Sequence, residues 1–116
     1  MKRDEKDLAA MVAALKATFE ARQLVGGFSA EVFAADRVKG LALERLLQRI
    51  ADAAQRVSRH AREAHTEVPW DRLDLLRETV STAHDQIDPR VLFAIVTREG
   101  SMLIDAIERA LPSDAD

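Results

Sequence analysis

The chain has no cysteine, which excludes a disulfide framework and any thiolate metal site. Small secreted domains often depend on disulfides, so their absence favours a cytoplasmic location. Tyrosine is absent as well, and aromatics reach only 4% of residues, which suits helices better than sheets. The charged start, Met1-Lys2-Arg3-Asp4-Glu5-Lys6-Asp7, is followed by no long apolar run, so neither a signal peptide nor a membrane anchor is expected. No glycine-rich phosphate loop, His-Glu-x-x-His helix or recognisable nucleophile motif occurs. An excess of positive charge is missing too. The 17 basic residues face 20 acidic ones, for a formal charge of -3, so only a local basic patch could attract nucleic acid.

What is present is a helical pattern. The 116 residues are enough for one domain with a real core, expected over residues 1–112 with a flexible tail at 113–116. Hydrophobic residues make up 47% and charged residues 32%, a globular balance. Leu8, Met11, Val12, Leu15 and Phe19 recur at helical spacing and predict the buried stripe of a first helix, which Gly26-Gly27 stops. Ser29 is an N-cap for a short helix through Phe33. Asp36 caps a long third helix whose buried face carries Leu43, Leu46, Leu47, Ile50, Ala53, Ala54 and Val57. The polar run from Ser58 to Glu67 predicts fraying. Pro69-Trp70 opens a fourth helix with Leu73, Leu76, Val80, Ala83 and Ile87 on one face. Asp88-Pro89 starts a last helix that runs to Leu111, with Gly100 loosening it midway. The expected fold is all-α: an antiparallel bundle of four long helices and one short one.

Three groups of residues could carry chemistry. The histidines, His60, His65 and His84, have no spacing that demands a metal, and neither metal nor cofactor is expected. Arg49, Arg56 and His60 lie close to one face of the predicted third helix and read as RNA-binding candidates. The alternative, which is the commoner arrangement, is a solvated face whose arginines pair with Asp52 and Glu63. Trp70 reads as an anchor for the start of the fourth helix. Arg77 and His84 are seven residues apart, nearly two full turns, so on one helix they point the same way. A histidine there can move a proton to or from a ribose hydroxyl, and the arginine can bind the phosphate. The plainer reading is an arginine paired with Glu78 or Asp74 and a histidine near a helix C-terminus.

The segment Leu75-Leu76-Arg77-Glu78-Thr79-Val80-Ser81-Thr82-Ala83-His84-Asp85-Gln86-Ile87-Asp88-Pro89 resembles the HepT-like branch of the HEPN superfamily. The stretches from Gly27 to Asp36, Ile50 to Ser58 and Glu67 to Trp70 agree with it in order and spacing, so the resemblance covers nearly the whole chain. It implies an all-helical homodimer and a ribonuclease toxin whose cleft at the dimer interface is lined by an Arg and a His from each subunit. It implies metal-independent cleavage with the ribose 2'-hydroxyl as nucleophile. It also implies a partner, a minimal nucleotidyltransferase antitoxin of the MntA type, which modifies a Tyr two residues past the His. The family pattern is Arg, four residues, His, one residue, Tyr. Aligned on Arg77, its His position holds Thr82 and its Tyr position holds His84.

Two readings follow. Arg77 and His84 satisfy the wider superfamily rule of Arg, six residues, His, and form the catalytic pair. Alternatively Thr82, whose hydroxyl does not titrate near neutrality, leaves the site inactive and the dimer serves as a binding or regulatory partner of the nucleotidyltransferase. The two His placements differ by about 160° around a regular helix.

Overall fold

The computed structural model describes residues 2–82 and 87–112. His84, Ala83 and the expected tail at 113–116 lie outside the described residues. Six helices follow in order: α1 (Arg3–Val25), α2 (Ala30–Ala34), α3 (Arg37–Gln55), α4 (Arg59–Ala64), α5 (Trp70–Thr82) and α6 (Pro89–Ala110). No strand occurs among the described residues, and no described helix is long and apolar enough to cross a membrane.

The helix boundaries follow from local chemistry. Ser29 accepts a hydrogen bond from the Val32 amide, Asp36 from Lys39, Ser58 from Ala61 and Asp88 from Arg90, each satisfying a first-turn donor that has no partner inside the helix. Gly27 takes a φ of 83°, a left-handed turn that lets the chain leave α1 and enter α2. Pro89 occupies the first turn of α6, where its missing amide costs nothing.

Helix α3 is the spine. It packs against α1, α5 and α6, while α2 packs on α6. Asp7 near the start of α1 meets Ser58 just past the end of α3, so these two helices run antiparallel. Asp74 on α5 meets Arg62, whose guanidinium also reaches the Ala54 carbonyl near the end of α3. Helix α5 therefore returns antiparallel along α3. Helices α1, α3 and α5 form one layer, with α6 behind it. Phe33, Leu43, Leu47 and Leu92 are fully buried between the layers. The ring of Phe33 lies 5.5 Å from that of Phe93, fastening α2 to α6.

Four sequence expectations are corrected. The core face of α1 is not the Leu8–Phe19 stripe. Its buried residues include Ala10, Met11, Ala14, Ala17 and Ala21, while Leu8 and Phe19 are 40% and 44% exposed. Alanines let the backbones of α1 and its neighbours approach closely; of the expected stripe Met11 is buried and Leu15 packs against the core, while Leu8 and Phe19 turn outward. The polar run after Val57 does not fray but forms α4, because Ser58 caps it and Ala61 anchors it in the core. Gly100 does not loosen α6. It is buried against the aliphatic stem of Arg22, and a Cβ there would sit 3.0 Å from that stem. Ile87, expected on the same helix face as Leu73, Leu76 and Val80, is half-buried outside any helix.

Candidate functional site

Arg77 sits on α5, is exposed, and has no ion-pair or hydrogen-bond partner among the described residues. The plainer sequence reading paired it with Glu78 or Asp74; no ion pair of Arg77 with either occurs among the described residues, and the Asp74 carboxylate is taken by Arg62 at 3.0 Å. Residues lining the groove between α5 and α6, among them Arg72, Leu76 and Thr79, occupy one flank of α5. Arg77 projects from the opposite flank, about 100° from Leu76 and on the side of Asp74. It therefore points away from α6. Thr82 is the last residue of α5, and His84 lies outside the described residues.

The α5–α6 groove encloses about 160 Å³ and is mostly apolar, with Leu73, Leu76, Ile95, Met102 and Leu103 in its walls. Arg72 and Glu99 form a close ion pair that links the two helices. Leu75 at its edge is 62% exposed. Apolar surface of this kind, rimmed by charge, marks an interaction surface.

The three RNA-binding candidates do not stay together. Arg49 and Arg56 face a groove between α1 and α3, where the fold adds Arg45 and Lys16. His60 belongs to α4, because the helix breaks at Val57-Ser58, and it lines a different cavity with Asp4, Leu8 and His65. Pairing with acids, the commoner arrangement, holds for Arg59, which meets Glu63 at 3.6 Å. Neither Arg49, Arg56 nor Asp52 has an ion pair within 4 Å among the described residues. The i, i+4, i+11 spacing of Arg45, Arg49 and Arg56 was legible in the sequence. Lys16 was not, because its place depends on how α1 registers against α3.

Two structural clusters hold these elements in place. The Trp70 indole N–H donates to the carbonyls of Arg62 and His65, at 3.1 and 2.9 Å, and the Arg62 guanidinium stacks 5.0 Å from its ring. Trp70 thus ties the end of α4 to the start of α5, fixing the helix that carries Arg77. Asp7, read from sequence only as an acid favoured by the helix dipole, is buried and accepts from both the amide and the hydroxyl of Ser58 at 2.7 Å. Burial opposes its charge, but the two Ser58 hydrogen bonds outweigh it, with Arg3 and His60 adding favourable fields, and the carboxyl is held below its ordinary value. No group of three or more potential ligands that could hold a metal occurs among the described residues.

The model of the Ribonuclease HepT-like family matches residues 14–110. The chain belongs to the HepT-like ribonuclease family. Probable ribonuclease HepT of Thermococcus cleftensis is 28% identical over 103 residues, covering 85% of this chain and 88% of that protein. No solved structure matches the chain. The HepT-like assignment agrees with the all-α bundle, and the matched span contains α2 to α6 whole, with Arg77, Thr82 and His84 inside it.

Proposed function

We propose that this chain is the ribonuclease toxin of a toxin–antitoxin pair, working as a cytoplasmic homodimer that cleaves RNA without a metal and is paired with a minimal nucleotidyltransferase of the MntA type. The observation that carries this reading is Arg77: within a HepT-like ribonuclease family member it is an exposed guanidinium held on a helix, with no ion-pair or hydrogen-bond partner among the described residues. Such a group is free to take two oxygens of a phosphodiester. His84 takes the proton of the ribose 2'-hydroxyl as its oxygen attacks phosphorus. The bond from phosphorus to the 5'-oxygen breaks, leaving a 2',3'-cyclic phosphate. A proton delivered to the departing oxygen completes the balance, and the proposed donor is the protonated His84 of the partner subunit. Arg77 stabilises the charge that grows on the non-bridging oxygens.

The dimer is supported by the outer edge of α5. Leu75 is exposed there at the rim of the apolar α5–α6 groove. A second copy laid on this edge removes apolar surface from water. A second reading draws support from Thr82 at the family's His position: an inactive dimer that serves as a binding or regulatory partner of the nucleotidyltransferase.

One experiment separates the two. Purified protein, Arg77→Ala and His84→Ala are incubated with RNA in chelator, and the ends of the products are mapped. Cleavage by the parent that both variants lose by 100-fold or more, as expected for a positioned acid–base group at about 10²–10⁴, supports the nuclease. No cleavage by the parent, or equal cleavage by all three, removes it. A stable monomer in solution removes the shared cleft.

A further inference from the structure

The groove between α1 and α3 gathers positive charge that makes no ion pair among the described residues. Arg45, Arg49 and Arg56 fall within about 40° of one another around α3 and span about 16 Å of its length. Lys16 of α1 forms the facing wall, above a floor of Ala13 and Ala17. Glu20 and Asp52 also line the groove, so its four cations exceed its anions by two. None of these six charged groups has an ion pair within 4 Å among the described residues, although Glu20 is four residues from Lys16 and Asp52 four from Arg56. Elsewhere arginines tie elements together: Arg62 to Asp74, Arg72 to Glu99, Arg90 to Glu31 and Arg22 to Ser101. In a chain of net charge -3, Arg49 and Arg56 have no ion pair among the described residues and Arg45 reaches only Gln48, at 3.5 Å, which leaves their charge available to a ligand.

The groove also faces the right way. Gly40 of α3 meets Pro89 of α6, and it lies about 140° around α3 from Arg45. The cationic face of α3 therefore looks away from α6. Arg77 leaves α5 on the flank away from α6 as well. Both open on the same side of the α5–α3–α1 layer, and packed helices sit only about 8–10 Å apart. A strand lying in the groove reaches Arg77 by crossing the width of one helix.

We infer that this groove binds the sugar–phosphate backbone of single-stranded RNA and leads it toward Arg77. The inference rests on the ribonuclease reading for the direction of the strand, while the charge of the groove stands without it. Guanidinium groups suit phosphate because their fork matches two oxygens at once. Backbone contacts of this kind are indifferent to sequence and sensitive to salt.

The test uses a fluorescent 2'-O-methyl oligouridine, which offers no 2'-hydroxyl nucleophile and so reports binding alone. Anisotropy titrations of the full chain at several salt concentrations should give a log–log slope of about -3, from four contacts at about 0.7 each. Lys16→Ala, Arg45→Ala, Arg49→Ala and Arg56→Ala should each flatten the slope by about 0.7, and Arg49→Lys should restore it. Arg59→Ala, whose partner is Glu63, should leave it unchanged. With cleavable RNA, the groove variants should raise KM and keep kcat, whereas Arg77→Ala should lower kcat. Groove variants that are folded by circular dichroism yet bind the oligouridine like the parent overturn the inference. So does a loss confined to an acidic polypeptide such as polyglutamate, which would make the groove a protein-binding surface. A parent that binds with the expected slope but cleaves nothing keeps the groove and removes the nuclease. A parent that cleaves with the same KM in every groove variant does the reverse.

Discussion

Replacing Asp7 should damage this small bundle more than its place near a chain end suggests. Its carboxylate is buried, with a relative exposure of 5%, and accepts two hydrogen bonds of 2.7 Å from Ser58. Ser58 in turn caps α4 by accepting from the Ala61 amide at 3.2 Å. One side chain thereby joins the start of α1, the end of α3 and the first turn of α4. Hydrogen bonds to a charged group contribute about 1.5–3 kcal/mol each, and the desolvation of the carboxylate takes part of that back. Asp7→Ala should therefore cost about 3 kcal/mol out of a total of about 5–15 for a domain of this size. At a urea dependence of about 2 kcal/mol per molar, the midpoint falls by about 1.5 M. The exposed Asp4→Ala should stay within about 0.5 kcal/mol of the parent. Acid provides a second arm. Because the folded-state value of Asp7 lies below the ordinary 3.8, its contribution is complete above that value and is lost as pH falls through the lowered one. Asp7→Asn keeps one acceptor and can donate to the Ser58 hydroxyl, but it does not titrate. The gap between parent and Asp7→Asn should narrow as pH drops below about 4. Urea melts followed by circular dichroism at both pH values measure this. If Asp7→Ala matches Asp4→Ala, or if the gap to Asp7→Asn is the same at both pH values, the account of this link is wrong.

Two further substitutions probe the site and its support. Trp70→Phe removes both indole hydrogen bonds and should cost about 1–2 kcal/mol in thermal or urea melts. In the parent, the single Trp also makes fluorescence a direct report on the α4–α5 junction. Thr82→His restores the family spacing of Arg, four residues, His. If Thr82 is what disables the site, cleavage should rise by about 10²-fold or more. If His84 is the working base, Thr82→His should change little while His84→Ala abolishes activity.

The sequence reads best where one residue type has one physical use. The caps at Ser29, Asp36 and Asp88 set helix starts through local hydrogen bonds, and all three recur in the structure. Helix α1 reads worst because it carries two apolar stripes. Leu8, Val12, Leu15 and Phe19 share one face, and Ala10, Ala14, Ala17 and Ala21 share another. Residue size favours the first, but a helix wedged between α3 and α6 needs the small residues inward so that backbones can approach. That choice is made by three-dimensional packing and leaves no trace in the spacing. Ser58 shows the reverse case: its capping signal was present, yet a polar run masked it, since α4 buries only Ala61. The same break explains why His60 separates from Arg49 and Arg56, for a stripe holds only while its helix continues. Arg77 survives the passage from sequence to structure because its value lies in what it lacks, a structural partner. The family match transfers the bundle and the helix that displays this arginine, but acid–base chemistry rests on one imidazole. Under the proposed function, the phosphate-binding half of the site rests on Arg77, while the proton-transfer half, Thr82 or His84, turns on a shift of two residues.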